Sequence, residues 1–245
     1  MFNNNSIWIG AILLLLINRI MSGSFDLMST LLMLPGLILA LTLHEYAHAK
    51  ASDRLGDPTP EAEGRLTLNP LAHMDPFGTI CLLFAGFGWG KPVGVNPTYY
   101  RNPIRDSAIV AAAGPLTNLV LAFILFLIYA IVVVINPEAY VNMMFLGSKG
   151  LTEMLMLVLL NGAYLNLGLF AFNLLPFPPL DGSKILPFFL KGKARTFLYK
   201  LERYSWIIII ILFVTEIPSL IITPVVDWIA KMMINLIMFI LGIFV

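Results

Sequence analysis

Cysteine is almost absent from this chain: Cys81 stands alone among 245 residues, which excludes an internal disulfide and any cysteine-based zinc or iron–sulfur cluster. Histidine is nearly as scarce. With His44, His48 and His73 as the full set, any metal must be held by these and by carboxylates. Charge is sparse as well, at 12% of residues, with 15 Lys and Arg against 14 Asp and Glu for a net +1. Nucleic-acid-binding proteins concentrate basic residues far more heavily, so no nucleic acid is expected as partner. A soluble domain carries about twice this charged share. No long polar loop is present that would form a separate soluble domain, since the longest polar stretch, Ser52 to Arg101, is interrupted by the apolar piece Phe77 to Trp89.

What is present is apolar. Hydrophobic residues make up 59% of the chain, more than a core of this size can hide, and they gather in runs of about 20, the length that crosses some 30 Å of hydrocarbon. The chain reads as an all-α polytopic membrane protein whose main solvent is the lipid bilayer, a single membrane domain over residues 1–245. Six spans are predicted: Ile7 to Ile20, Leu27 to Ala51, Ile104 to Ile135, Thr152 to Leu175, Tyr204 to Ile217 and Thr223 to Val245, the first and fifth being short. The first lacks a basic start and an A-x-A cleavage site, so it reads as a retained helix rather than a secretory signal. Asn102-Pro103 reads as an N-cap and first helical position for the third span, and Thr152 as a cap for the fourth.

Basic residues set the orientation. Six lie between spans two and three (Lys50, Arg54, Arg65, Lys91, Arg101, Arg105) and six between spans four and five (Lys184, Lys191, Lys193, Arg195, Lys200, Arg203). With six alternating helices both loops share one face, which the positive-inside rule makes cytoplasmic, together with both termini.

At the end of the second span stands His44-Glu45-Tyr46-Ala47-His48. Residues four apart on a helix share a face, so two imidazoles can converge on one ion. Glu45, one residue along, can reach a metal-bound water without being a ligand, the H-E-x-x-H arrangement of zinc hydrolases in which the glutamate is general base. Five residues can match by chance in a soluble helix. Here, however, His44 lies roughly 25 Å along the helix from Leu27, just inside an approximately 30 Å hydrocarbon core. Ionisable groups at that depth are costly unless paired, metal-bound or facing water.

A catalytic zinc takes a third protein ligand and keeps a position for water. Candidates are His73, Asp75, Asp53, Glu61, Glu63 and Asp181. Asp181 stands out because it closes Asn173-Leu-Leu-Pro-Phe-Pro-Pro-Leu-Asp181-Gly182, where three prolines must break the fourth helix. Irregular backbone at membrane depth is tolerated where it is buried in protein or lines a water-filled cavity. The alternative is a proline-rich exit turn with Asp181 capping the next helix.

These motifs resemble the site-2 protease family of intramembrane zinc metalloproteases. Gly114-Pro115-Leu-Thr-Asn118 is similar to the family's GPxxN element, and Asn69-Pro-Leu-Ala-His73-Met-Asp75-Pro-Phe-Gly78 with Gly88-Trp-Gly-Lys-Pro-Val-Gly-Val-Asn96-Pro97 resembles its compact branch without PDZ or CBS domain. The resemblance covers about residues 37 to 190. It implies one zinc held by His44, His48 and Asp181, with Glu45 as general base. It also implies a catalytic core over residues 27–190 built on spans two, three and four, with accessory helices over 7–20 and 204–245. The polar access path would open to the cytoplasm, and the substrate would be a transmembrane segment of another membrane protein, commonly after a first protease has trimmed its outer domain. The expected function is therefore intramembrane endopeptidase.

Asn118 and Asn173 are amides in apolar spans. They read either as interhelical hydrogen-bonding groups or as groups that face the zinc and bind the scissile carbonyl or oxyanion. Asn161 and Asn166, outside any motif, read as packing residues. Phe77 to Asn96, rich in glycine, reads as a re-entrant loop or β-hairpin whose edge could take an unwound substrate by strand addition. An interfacial anchor is the plainer reading, given Trp89, Tyr99 and Tyr100. His73 reads as a surface or supporting group, and Pro35-Gly36 as a kink or a close packing point. Two rival classes remain: a metal-binding transporter or channel, against which the absence of two related halves speaks, and a non-catalytic relative that binds membrane proteins, against which the intact Glu45 speaks.

Overall fold

The computed structural model describes residues 26–76, 78–79, 90–147, 150–215 and 217–242. Its helices are α1 (Leu27–Arg54), the single turns α2 (Thr59–Ala62) and α3 (Pro70–His73), α4 (Pro103–Ile135), α5 (Pro137–Phe145), α6 (Leu151–Asn173), α7 (Gly182–Phe189), α8 (Gly192–Leu201), α9 (Ser205–Val214) and α10 (Ile217–Ile240). Four of the described helices are long and apolar enough to cross a bilayer: α1, α4, α6 and, over Leu220–Ile240, α10. They match predicted spans two, three, four and six. Predicted span one lies outside the described residues. Over predicted span five the helix covers only the 10 residues of α9, about 15 Å at 1.5 Å per residue, half a hydrocarbon core.

No strand occurs among the described residues. Residues 77 and 80–89, most of the segment read as a re-entrant hairpin, lie outside them. Among the described residues one antiparallel bridge joins Met74, just before that segment, to Gly90 within it.

Local chemistry explains the helix boundaries. Asp26 caps α1 by accepting from the Met28 N–H at 3.0 Å and the Ser29 hydroxyl at 2.6 Å, supplying acceptors that the first turn lacks. Asn102 caps α4 as expected, with Pro103 opening the helix and the Arg105 N–H donating to Asn102 Oδ1 at 3.3 Å. The cap of α6 is Gly150 rather than Thr152, because the Met154 N–H already reaches the Gly150 carbonyl at 2.9 Å and the first turn starts earlier. At its far end α6 stops at Asn173, before Pro176, which has no N–H to continue the ladder.

Helices α1, α4 and α6 pack against one another, and α10 packs against α4 and α6. Small residues set the approach, as lipid-embedded helices require. A Cβ on Gly36 would fall 2.6 Å from the Gly162 Cα, so Pro35-Gly36 is a close packing point between α1 and α6. Ala40, Ala111, Ala122 and Ala163 are buried in these helices, as are the larger Phe126, Met156 and Leu167. The outer side of α4 carries Leu116, Val120, Ile124, Ile128, Ile131 and Ile135, all exposed. Their spacing of three to four residues makes one stripe. An apolar patch of this length would be a liability in water and suits a lipid face.

Candidate metal centre

The site is assembled from three places in the chain. Helix α1 presents His44 and His48 one turn apart toward α4, and Asp181 enters from the broken segment after α6. These three are the group of ligand-bearing side chains whose donor atoms gather among the described residues, all within 4.8 Å of one another. The histidine Nε2 atoms are 3.0 Å apart, and Asp181 Oδ2 lies 3.3 Å from His44 Nε2 and 3.2 Å from His48 Nε2. All three residues are buried.

The hydrogen bonds decide what this cluster accepts. His44 Nδ1 lies 2.5 Å from Asn118 Oδ1, and His48 Nδ1 lies 2.8 Å from the Val110 carbonyl oxygen. Both partners are acceptors, so in the neutral rings each Nδ1 carries the hydrogen and each Nε2 presents a lone pair. Asp181 Oδ2, buried, has no hydrogen-bond partner among the described residues. Three lone pairs therefore face one point. A shared proton would answer two of them; a divalent cation answers all three. A tetrahedral zinc at about 2.0–2.1 Å from its ligands sets them roughly 3.3 Å apart, which fits the observed spacing. The donor set, two imidazoles and one carboxylate, is that of a catalytic zinc with one position left over.

Asp181 reaches this point because the chain folds back sharply. Among the described residues it occupies the N-cap position of α7, yet its side chain makes no cap hydrogen bond; the carboxylate turns to the histidines instead. A Cβ on the next residue, Gly182, would lie 2.6 Å from the Leu174 carbonyl carbon, so glycine is what lets α7 begin against the end of α6. The other third-ligand candidates are spent elsewhere. Asp53 pairs with Lys50 at 2.7 Å, Asp75 accepts from the Gly78 N–H at 2.8 Å, Glu61 and Glu63 are exposed, and His73 Nε2 meets the Thr67 carbonyl at 2.8 Å.

Gly114 of the GPxxN element also has a steric reason. A Cβ there would fall 2.6 Å from His48 Cε1 and 2.7 Å from His44 Cε1. Gly114→Ala is expected to displace both imidazoles and weaken zinc binding by about 10-fold or more, although alanine is the better helix former by about 1 kcal/mol. Competition with a chelator measures it, and unchanged affinity would refute the steric argument.

Asn118 is fully buried, and its amide is committed. Its Oδ1 faces His44, while its Nδ2 donates to Asn166 Oδ1 at 2.7 Å and to the Ala40 carbonyl at 3.3 Å. Of the two readings of Asn118, this geometry is the interhelical one, with no N–H left over for a substrate. Asn173 lines the cavity instead and donates to the Leu169 carbonyl at 3.1 Å. Asn166, read from sequence as packing, belongs to the network; its signal was an amide in an apolar span, and no motif marked it.

Above the cluster a cavity of about 520 Å³ opens, lined by His44, His48, Asp181, Glu45, Asn173, Lys184, Tyr199 and, from the segment Pro92 to Val95, by Pro92, Val93 and Val95. That segment touches the site directly: the Val93 N–H donates to Glu45 Oε2 at 3.0 Å. Its anchors are the Lys91 N–H on the His73 carbonyl at 2.8 Å and the Asn96 N–H on Asp57 Oδ2 at 2.7 Å. Burial alone would push Asp57 up; hydrogen bonds from Thr59, Asn96 and Ser52 outweigh it and hold the carboxyl below the usual carboxylate range. This anchor therefore contributes stability that is complete above the unfolded value and fades as pH falls through the lowered folded one.

Comparison with known proteins agrees with this geometry. A candidate zinc metalloprotease of Bacillus subtilis, YwhC, is 41% identical over 192 residues, covering 78% of this chain and 84% of that protein. A candidate zinc metalloprotease of Mycolicibacterium smegmatis, Rip2, is 32% identical over 190 residues, 76% of this chain and 67% of that protein. The Rip2 of Mycobacterium tuberculosis is 28% identical over 189 residues, 74% and 66% respectively. No solved structure matches significantly. The profile of peptidase family M50 matches residues 32–215, three quarters of the chain and every residue of the metal cluster; with that reach, the chain belongs to peptidase family M50, the site-2 protease family.

Proposed function

We propose that this chain is an intramembrane zinc endopeptidase that hydrolyses peptide bonds in or near transmembrane segments of other membrane proteins. The observation that carries the reading is the convergence of His44 Nε2, His48 Nε2 and Asp181 Oδ2, all within 4.8 Å of one another, while both Nδ1 atoms meet acceptors. His44, His48 and Asp181 are the residues that would hold zinc. When bound, zinc supplies Lewis-acid polarisation of water and of the substrate carbonyl.

The remaining steps belong to the chain. Glu45 lines the same cavity and, as general base, takes a proton from the water whose oxygen attacks the peptide carbonyl carbon. It then passes that proton to the amide nitrogen as the carbon–nitrogen bond breaks, so that Glu45 ends the cycle ionised. The Val93 N–H fixes one carboxylate oxygen and leaves the other to handle the proton. Asn173 and Lys184, both on the cavity wall, would meet the substrate backbone.

The finer architecture follows from the same reading. The catalytic core is α1, α4 and α6 with the segment that carries Asp181, about residues 27–190, in a single membrane domain with accessory helices over residues 7–20 and 204–245. About six spans, with a re-entrant segment between the second and third, place both basic loops and both termini in the cytoplasm by the positive-inside rule. Zinc and catalysis stand or fall together in one experiment. Purified protein is expected to hold one zinc per chain and to cleave a membrane-protein substrate; a zinc chelator should stop cleavage and added zinc restore it. Cleavage that persists after the metal has been stripped would overturn the reading.

A further inference from the structure

A second layer of the site crosses all three core helices. His44 on α1 donates from Nδ1 to Asn118 Oδ1 on α4 at 2.5 Å, Asn118 Nδ2 donates to Asn166 Oδ1 on α6 at 2.7 Å, and Asn166 Nδ2 donates to the Gly162 carbonyl at 2.8 Å. Asn118 and Asn166 are both fully buried. The far end is backbone, in the turn of α6 that touches Gly36, and so cannot rotate.

We infer that Asn166 is a positioning residue for the metal centre: it holds the Asn118 carboxamide in the one orientation that makes His44 a ligand. The inference rests on the zinc reading of His44, His48 and Asp181. An amide can turn either face to a neighbour at little cost in shape. With the oxygen toward His44, the ring must carry its hydrogen on Nδ1 and Nε2 is free to bind a cation. With the NH₂ group toward His44, the ring must accept at Nδ1 and carry its hydrogen on Nε2, which then points an N–H at the metal position. Only the first state binds metal. The acceptors facing Asn118 Nδ2 choose between the states: Asn166 Oδ1 at 2.7 Å is the short contact, and the Ala40 carbonyl at 3.3 Å is the long one. A flip of Asn118 would bring its oxygen against Asn166 Oδ1. Asn166 cannot flip in turn without losing its own bond to Gly162. In metal sites generally, partners of the ligating histidine matter by 10- to 100-fold in affinity; here the restraint is passed one residue further, from a helix that carries no ligand of its own.

A carboxylate at position 118 would have no wrong face, since both of its oxygens accept. This separates orientation from simple packing. Zinc affinity is measured by chelator competition on four proteins: wild type, Asn166→Leu, Asn118→Asp, and Asn118→Asp combined with Asn166→Leu. Cobalt substitution serves as a second readout of ligand geometry through its visible spectrum. Asn166→Leu in the wild-type background is expected to weaken zinc binding about 10-fold or more and to change the cobalt spectrum. In the Asn118→Asp background the same substitution is expected to change affinity by less than about 3-fold, so the cycle is strongly non-additive. Equal losses in both backgrounds would mean that Asn166 only packs, and would overturn the inference. So would an Asn166→Leu protein with wild-type affinity. If Asn166→Leu does not fold, Asn166→Ala carries the same comparison with the same two overturning outcomes. Absence of zinc binding in the wild type would instead defeat the metal-site reading itself, which keeps the two failures distinct.

Discussion

Glu45→Gln is expected to keep zinc at one per chain and to lower cleavage of a membrane-protein substrate by about 10²- to 10⁴-fold, the usual range for losing a general acid–base group. Glutamine has the shape of glutamate, and its carbonyl oxygen can still accept the 3.0 Å hydrogen bond from the Val93 N–H. What it lacks is the charge that draws a proton from water. Glu45 is outside the ligand cluster, so the metal has no direct reason to leave. Metal analysis and a cleavage assay on the same preparation check both halves. A glutamine variant that cut at the wild-type rate would exclude Glu45 as the base, and one that lost its zinc would make Glu45 a ligand.

The second large effect concerns Asp181. Asp181→Ala is expected to weaken zinc binding well beyond the roughly 10- to 100-fold that follows from losing an outer partner of a ligand, and to abolish cleavage at ordinary zinc concentrations. Removing it leaves two imidazoles, fewer than the three protein ligands of catalytic zinc sites. The alternative role, helix cap for α7, predicts a different phenotype. A cap residue replaced by alanine costs about 0.5–2 kcal/mol of stability, whereas the Asp181 side chain makes no cap hydrogen bond. Zinc-free Asp181→Ala protein should therefore melt close to the zinc-free wild type. Wild-type zinc affinity together with a lowered melting temperature would reverse the assignment and make Asp181 a cap.

Several parts of this site were legible in the residues because they depend on local spacing. The positions of His44 and His48 four residues apart put both on one face of any helix, and the run of apolar residues before them made that helix certain to form in lipid. Asn102-Pro103 marked the start of α4, and Pro176 the end of α6, through what each residue can donate or accept within a turn. Span five was harder. Its apolar composition matches a crossing, yet the helix there stops at Val214, where the Thr215 hydroxyl bonds back to the Ile211 carbonyl at 2.8 Å. Thr152 likewise had the side chain of a cap without the position of one. Small shifts of one or two residues at a helix start are not encoded in composition.

The sequence by itself pointed to the solvent, the helical class, the His44–His48 pair and, through the family resemblance, to Asp181 as its third partner. Scarcity did much of this, since one cysteine and three histidines leave few ways to hold zinc. Only the tertiary structure brought the Asp181 carboxylate within 3.3 Å of both histidines, gave Gly114 its steric reason and turned Asn118 Oδ1 to His44. It also brought in Asn166, which no motif marks. The reason is physical. Helices α1, α4 and α6 are apolar on nearly every side, so periodicity cannot say which face turns inward. Partners such as His44 and Asn118, 74 residues apart in the chain, meet where Gly36 and Gly162 bring α1 and α6 close and Gly114 leaves room on α4 for the two imidazoles.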